Sequence, residues 1–114
     1  MGVLSRCQAE LDEGRKLREV VRALGLLVAS RPCSRRAVAL HAELVALDGT
    51  LARRLREVLA LAAEFELTDT GVEELELETG LAAHLEGKMR HISHLLKREL
   101  ERPAAIRTLE EPLG

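Results

Sequence analysis

"LHAELVALDGTLARRLREVLALAAEF", residues 40–65, places apolar side chains at Leu40, Leu44, Leu47, Leu51, Leu55, Val58, Ala62 and Phe65, in steps of 4, 3, 4, 4, 3, 4 and 3. Steps of three and four put successive side chains on one face of an α-helix. Their alternation is the heptad rhythm of helices that pack lengthwise, with one added step that relaxes the repeat locally. The register carries straight through Asp48-Gly49-Thr50, which predicts one helix over about 34–67 with Gly49 on its outer side. The alternative is a break at Gly49, with Thr50 capping a fourth helix.

Both ends of this helix are signalled. Ser34 can cap the first turn by accepting from a free backbone N–H. "TDTG", residues 68–71, is a cluster of turn and cap residues. Upstream, Leu4, Cys7, Leu11 and Gly14 make one apolar stripe. Leu17, Val20, Val21, Leu24, Leu27 and Val28 make a second, rotated one. A face that drifts this widely predicts contact with more than one neighbour. Pro32 ends the first helix, because the residue before proline leaves the α region.

Downstream, "VEELELETG" (72–80) fits no template cleanly, so a short helix or irregular link is expected there. Thr79 can cap a last helix over about 80–101, with Leu81, Leu85, Met89, Ile92, Leu95, Leu96 and Leu100 as its apolar face. Pro103 stops it, and 103–114 is a tail that docks or frays. The fold class that follows is all-α: one domain over 1–102, an antiparallel bundle of three long helices, four if the chain breaks at Gly49. A chain of 114 residues buries only a modest core. Completion by dimerisation or by a protein partner is therefore expected.

Composition narrows function by exclusion. Phe65 is the only Phe, Tyr or Trp side chain, which argues against base stacking and against an aromatic ligand pocket. The net charge of −2 gives no basic footprint for nucleic acid. The longest apolar run, "ALGLLVA" (23–29), is far short of the roughly 20 residues a membrane span needs. With no charged-then-apolar leader pattern, a cytoplasmic protein is expected. Cys7 and Cys33 match no zinc spacing. A helix between them separates them by roughly 35 Å, against the roughly 7 Å a disulfide tolerates.

Charge is blocked along the chain. Residues 57–87 hold nine acids and no Lys or Arg, whereas 1–56 are net basic. Within the long helix, Arg35 and Arg36 stand in the first turn and Glu64 and Glu66 in the last. The helix dipole favours the reverse by about 0.3–1 kcal/mol per charge. Either neighbouring helices neutralise these charges or they orient a partner. In "RRLR", Arg54 lies nearest the seam, while Arg53 and Arg56 face outward.

Three of the four histidines crowd into "AHLEGKMRHISH", residues 83–94. On a helical wheel His84 and His91 share an outer flank, and His94 points farther from the core. Only His91 and His94 are close enough to share an ion, and Lys88, Arg90, Lys97 and Arg98 surround them. Zinc takes at least three protein ligands, so no metal site or other cofactor is expected. His41 reads as a boundary residue beside the seam.

"AHLEGK" (83–88) resembles the Ala-His-x-Leu-Lys-Gly pattern of histidine-phosphotransfer domains, with the Lys and Gly interchanged. The resemblance implies His84 as phosphoacceptor and Lys88 as the charge steadying the phosphate. "LHAELVALDGTLARRL" (40–55) is similar in rhythm to the long first helix of helical chorismate mutases. Those enzymes need arginines projecting into the site, and His41 and Val58 stand where two are wanted. No nucleophile–base pair or paired carboxylate constellation is apparent, and neither an enzyme nor a small-molecule substrate is expected.

The function expected from the residues is protein–protein interaction, as an assembly, adaptor or small regulatory subunit. The expected partner surface is the seam of Leu40, Leu44, Leu47, Leu51, Leu55 and Val58. The charges of Arg35, Arg36, Glu73 and Glu74 would set orientation. A second copy or a hetero-complex would fill it.

Overall fold

In the computed structural model, which describes residues 2–102, three helices follow one another: α1 (Val3–Ser30), α2 (Arg35–Thr68) and α3 (Val72–Leu100). No strand is present among the described residues. The tail expected over 103–114 lies outside the described residues.

The helix ends follow local chemistry. α1 stops where Arg31 turns extended ahead of Pro32. Ser34 caps α2 in both senses: its Oγ accepts from Ala37 N at 3.1 Å and donates to Glu99 Oε1 at 2.9 Å. That second bond ties the start of α2 to the end of α3. Asp69, at φ 57°, closes α2 by donating its N–H to Phe65 O at 2.9 Å. Gly71, at φ 83°, supplies the second left-handed residue of the turn, where a side chain would be strained.

α2 runs through Gly49 without a break, so the bundle has three helices. α3 differs from expectation: it starts at Val72, and Thr79 is no cap. The Thr79 hydroxyl donates to Leu75 O at 2.7 Å, one turn back within the helix. The physical reason lies in spacing. Leu75, Ala82, Met89 and Leu96 recur every seven residues, and all four are fully buried. That stripe carries the helix through the acidic segment. It also rotates the core face away from the expected centre between Leu81 and Leu85, leaving Leu81 exposed.

Cross-helix pairs fix the register. Gly25 lies against His41, Arg18 pairs with Asp48, and Gly14 lies against Leu55, so α1 and α2 are antiparallel. Arg36 with Glu99 and Arg54 with Glu78 make α2 and α3 antiparallel. Arg6 with Glu76 and Arg90 with Glu13 leave α1 and α3 parallel. The product is a rod of 66 × 22 × 19 Å.

The buried face of α1 drifts around the helix: Cys7, Gly14, Leu17, Val21 and Leu24 are buried, in steps of 7, 3, 4 and 3. The core falls into two parts. The larger includes Leu17, Val21, Leu24, Leu44, Leu51, Met89, Ile92 and Leu96. The smaller holds Cys7, Val58 and Leu75, packed by Leu4, Leu11, Leu61 and Phe65. Each fully buried Leu contributes about 1.5–3 kcal/mol relative to exposure.

Candidate functional site

The seam expected to meet a partner is consumed inside the chain. Leu44, Leu51 and Val58 are fully buried, and Leu40, Leu47 and Leu55 pack half-buried against the same core. Leu44, Leu51 and Val58 are therefore closed to another protein while the bundle is folded, and Leu40, Leu47 and Leu55 offer only part of their surface. The orienting charges lie outside it. Arg35, Arg36, Glu73 and Glu74 are all exposed. Arg36 is spent partly on Glu99 at 3.7 Å. Glu73 and Glu74 sit in the first turn of α3, where they suit the helix dipole.

What α2 does leave uncovered is its outer face. Val38, Val45 and Leu59 are 53%, 49% and 58% exposed. With half-buried Ala52 they form a second seven-residue stripe, one position beyond the core stripe of Ala37, Leu44, Leu51 and Val58. Ala39, Ala42, Ala46, Gly49, Ala60 and Ala63 are exposed beside it. From Val38 to Ala52 this face carries no charged side chain. Scattered exposed leucines are ordinary, but a contiguous apolar stripe is a mark of an interaction surface. The stripe was readable from the sequence: Val38, Val45, Ala52 and Leu59 have a period of seven, shadowed by the longer leucine series.

Charged groups on the flanks of α2 are partly neutralised by the neighbouring helices. Arg18 Nε and Nη2 grip Asp48 Oδ1 and Oδ2 at 3.0 and 3.4 Å. Arg54 Nη1 donates to Glu78 Oε1 at 2.9 Å. Among the described residues Arg35, Glu43, Arg56 and Glu64 have no ion-pair partner, and all four are exposed.

A buried carboxyl lies on the opposite side, between α1 and α3. Glu86 is 1% exposed. It occupies the space beside Gly14, where a side chain would meet Leu55 Cδ1 at 2.6 Å and Glu86 Oε2 at 3.2 Å. Arg90 Nη2 donates to Glu86 Oε1 at 3.2 Å. Burial first, then the neighbouring Glu10 carboxyl, push the Glu86 carboxyl up from 4.5 to about 8, with Glu13 adding and Arg90 opposing. Burial disfavours the ionised form and the neighbouring Glu10 charge adds to that, so Glu86 is held protonated at neutral pH. Sequence reasoning missed this residue, because a glutamate four positions before Arg90 reads as an ordinary surface pair.

The histidines stay outside the core. His84, His91 and His94 are exposed, as is Lys88. His84 stands three residues before Gly87, which has open space around it. His94 and Ser93 join Glu13, Lys16, Arg90 and Lys97 along a shallow groove between α1 and α3. His41 is half-buried, its Nε2 3.0 Å from where a Cβ at Gly25 would stand, so Gly25 admits the imidazole between α1 and α2. Among the described residues no three His, Cys, Asp or Glu side chains are grouped to hold a metal ion. Cys7 and Cys33 are free thiols, with Cys7 Sγ 3.3 Å from Thr79 Oγ1. No described helix is long and apolar enough to cross a membrane.

No family model matches this chain, and neither the curated proteins nor the solved structures contain a significant match to it.

Proposed function

We propose that the chain is a protein-interaction module, an assembly, adaptor or small regulatory subunit, that docks a protein on the outer face of α2. One observation carries this reading: Val38, Val45 and Leu59 stand exposed at heptad spacing on a helix whose other heptad stripe already forms the core. A second stripe does nothing for the fold of the single chain and costs exposed apolar area. It is the pattern a helix shows when it packs on two sides. The surrounding alanines let another helix approach closely. Uncompensated charges toward the ends of α2 favour one orientation over others.

The test is co-purification from native cell extract, comparing the wild-type chain with Val45→Asp. The substituted side chain is half exposed, so folding is expected to be unchanged by circular dichroism. A protein recovered with the wild type and lost from the variant supports the reading. Identical recovery with both sinks it.

A further inference from the structure

We propose that the groove between α1 and α3 is a binding site for a phosphate monoester, held by Lys16, Arg90 and Lys97 over Ser93. It lies away from the docking face of α2 and does not depend on that reading.

Charge is the first argument. The chain as a whole carries −2, yet this groove is basic. Lys16, Arg90 and Lys97 line it, and Glu13 is the one acid among the lining residues. Glu13 is shared, 3.6 Å from Lys16 Nζ and 3.8 Å from Arg90 Nη2. Lys97 makes no ion pair among the described residues. Glu86 also takes a bond from Arg90, but it is protonated at neutral pH and offsets no charge. One carboxylate against three cations leaves a surplus of two. A phosphate monoester carries about −1.5 to −2 at pH 7, with three strong acceptor oxygens. A single carboxylate ligand would leave half of the surplus unmatched.

Donors are the second argument. Arg90 spends Nη2 on both Glu86 and Glu13. A guanidinium carries five N–H donors, so most of its fork remains for phosphate oxygens. Ser93 is 3% exposed, and its Oγ has no hydrogen-bond partner. Elsewhere in the chain helical hydroxyls are satisfied: those of Thr50, Thr68 and Thr79 donate to the carbonyl one turn back. A buried hydroxyl without a partner calls for an explanation. Arg90 and Lys97 stand one turn to either side of Ser93 on α3, so an anion held between them comes to rest over that hydroxyl. On the α1 wall, buried Leu17 and half-buried Val20 offer apolar contact to the carbon side of the ester. The groove holds about 380 Å³, room for the phosphate and a short organic portion.

The experiment is an NMR titration of the full chain at constant ionic strength and pH 7.5. A phosphoserine peptide and glycerol phosphate are added separately, which distinguishes a protein-borne phosphate from a free small molecule. The tighter binder names the source, and saturation by neither overturns the proposal. Saturable shifts are expected at Leu17, Ser93 and His94, with a dissociation constant below about 1 mM. The variant carrying Lys16→Gln and Lys97→Gln should bind at least about tenfold more weakly. A control carrying Lys88→Gln and Arg98→Gln loses the same charge from exposed positions of α3 outside the groove, and should bind like the wild type. Ser93→Ala should weaken binding about threefold or more without lowering thermal stability, because no bond within the chain is lost. Equal weakening in the control, or unchanged binding by the Lys16 and Lys97 variant, would reduce the effect to general charge attraction and end the proposal.

Discussion

Glu86 holds a carboxyl where its neighbours supply apolar atoms, and the fold keeps it there by keeping it neutral. Its ordinary value of 4.5 rises to about 8 in the folded chain. Between those values the folded protein therefore holds a proton that the unfolded chain has released. Linkage then gives the sign: this group's contribution is fully present below about 4.5 and is lost as pH rises through about 8. The charged groups facing it from α1 are Glu10 and Glu13, and from its own helix Arg90; α2 offers it Leu55. Urea unfolding at pH 5, 7 and 9 should show wild-type stability falling across that series. Glu86→Gln keeps a donor toward Glu10 without a charge, and should be more stable than wild type at pH 9 by about 1–3 kcal/mol. At pH 5 the two should converge. A wild-type stability that stays level from pH 5 to 9 would contradict the assignment.

At the scale of the helices, what the sequence revealed depended on whether one pattern dominated a segment. α2 was legible because eight apolar positions share one register and both ends carry recognised caps, Ser34 and Asp69. Pro32 likewise announced the end of α1. The acidic stretch of α3 was not legible, because only Leu75 there marks the core, and Leu77 beside it is 63% exposed. Leu75 and Leu77 alternate as they would in a strand, so they mark no helical face, and Thr79 has the chemistry of a cap. The candidate site was half legible. The heptad habit of α2 pointed to packing, yet a sequence cannot say which of two adjacent stripes, 37-44-51-58 or 38-45-52-59, the chain covers itself. Contacts with α1 and α3 decide that. Gly80 discriminates between the two descriptions of α3. It lies mid-helix with open space around it. Alanine there should stabilise the chain by about 0.8–1 kcal/mol, the glycine penalty of a helix interior. A helix that began at Gly80 would show no such gain. Thermal unfolding of Gly80→Ala measures the difference.

Across the whole molecule, stability is divided unevenly along the 66 Å rod. Ten buried residues form the main core, but only Cys7, Val58 and Leu75 anchor the other end. Between the two sits a layer interrupted by Gly14, Glu86 and the Arg54–Glu78 pair. A polar layer couples apolar neighbours weakly, since its groups gain little from burial beyond satisfying each other. The small core also closes the bundle at the α2–α3 turn, so it can open without exposing the larger one. Such uneven burial produces cooperative units of different stability. Native-state hydrogen exchange should therefore find two opening free energies. Core amides near Cys7, Val58 and Leu75 should exchange through the smaller opening, and those near Val21, Leu44 and Met89 only through global unfolding. Raising pH toward 9 charges Glu86 at the boundary, and should lower the smaller opening energy along with the global one. Glu86→Gln should remove most of that pH dependence and leave the ranking of the two ends intact. One uniform opening energy along all three helices would mean that the polar layer transmits packing as well as an apolar one. The division of the core would then be geometric only.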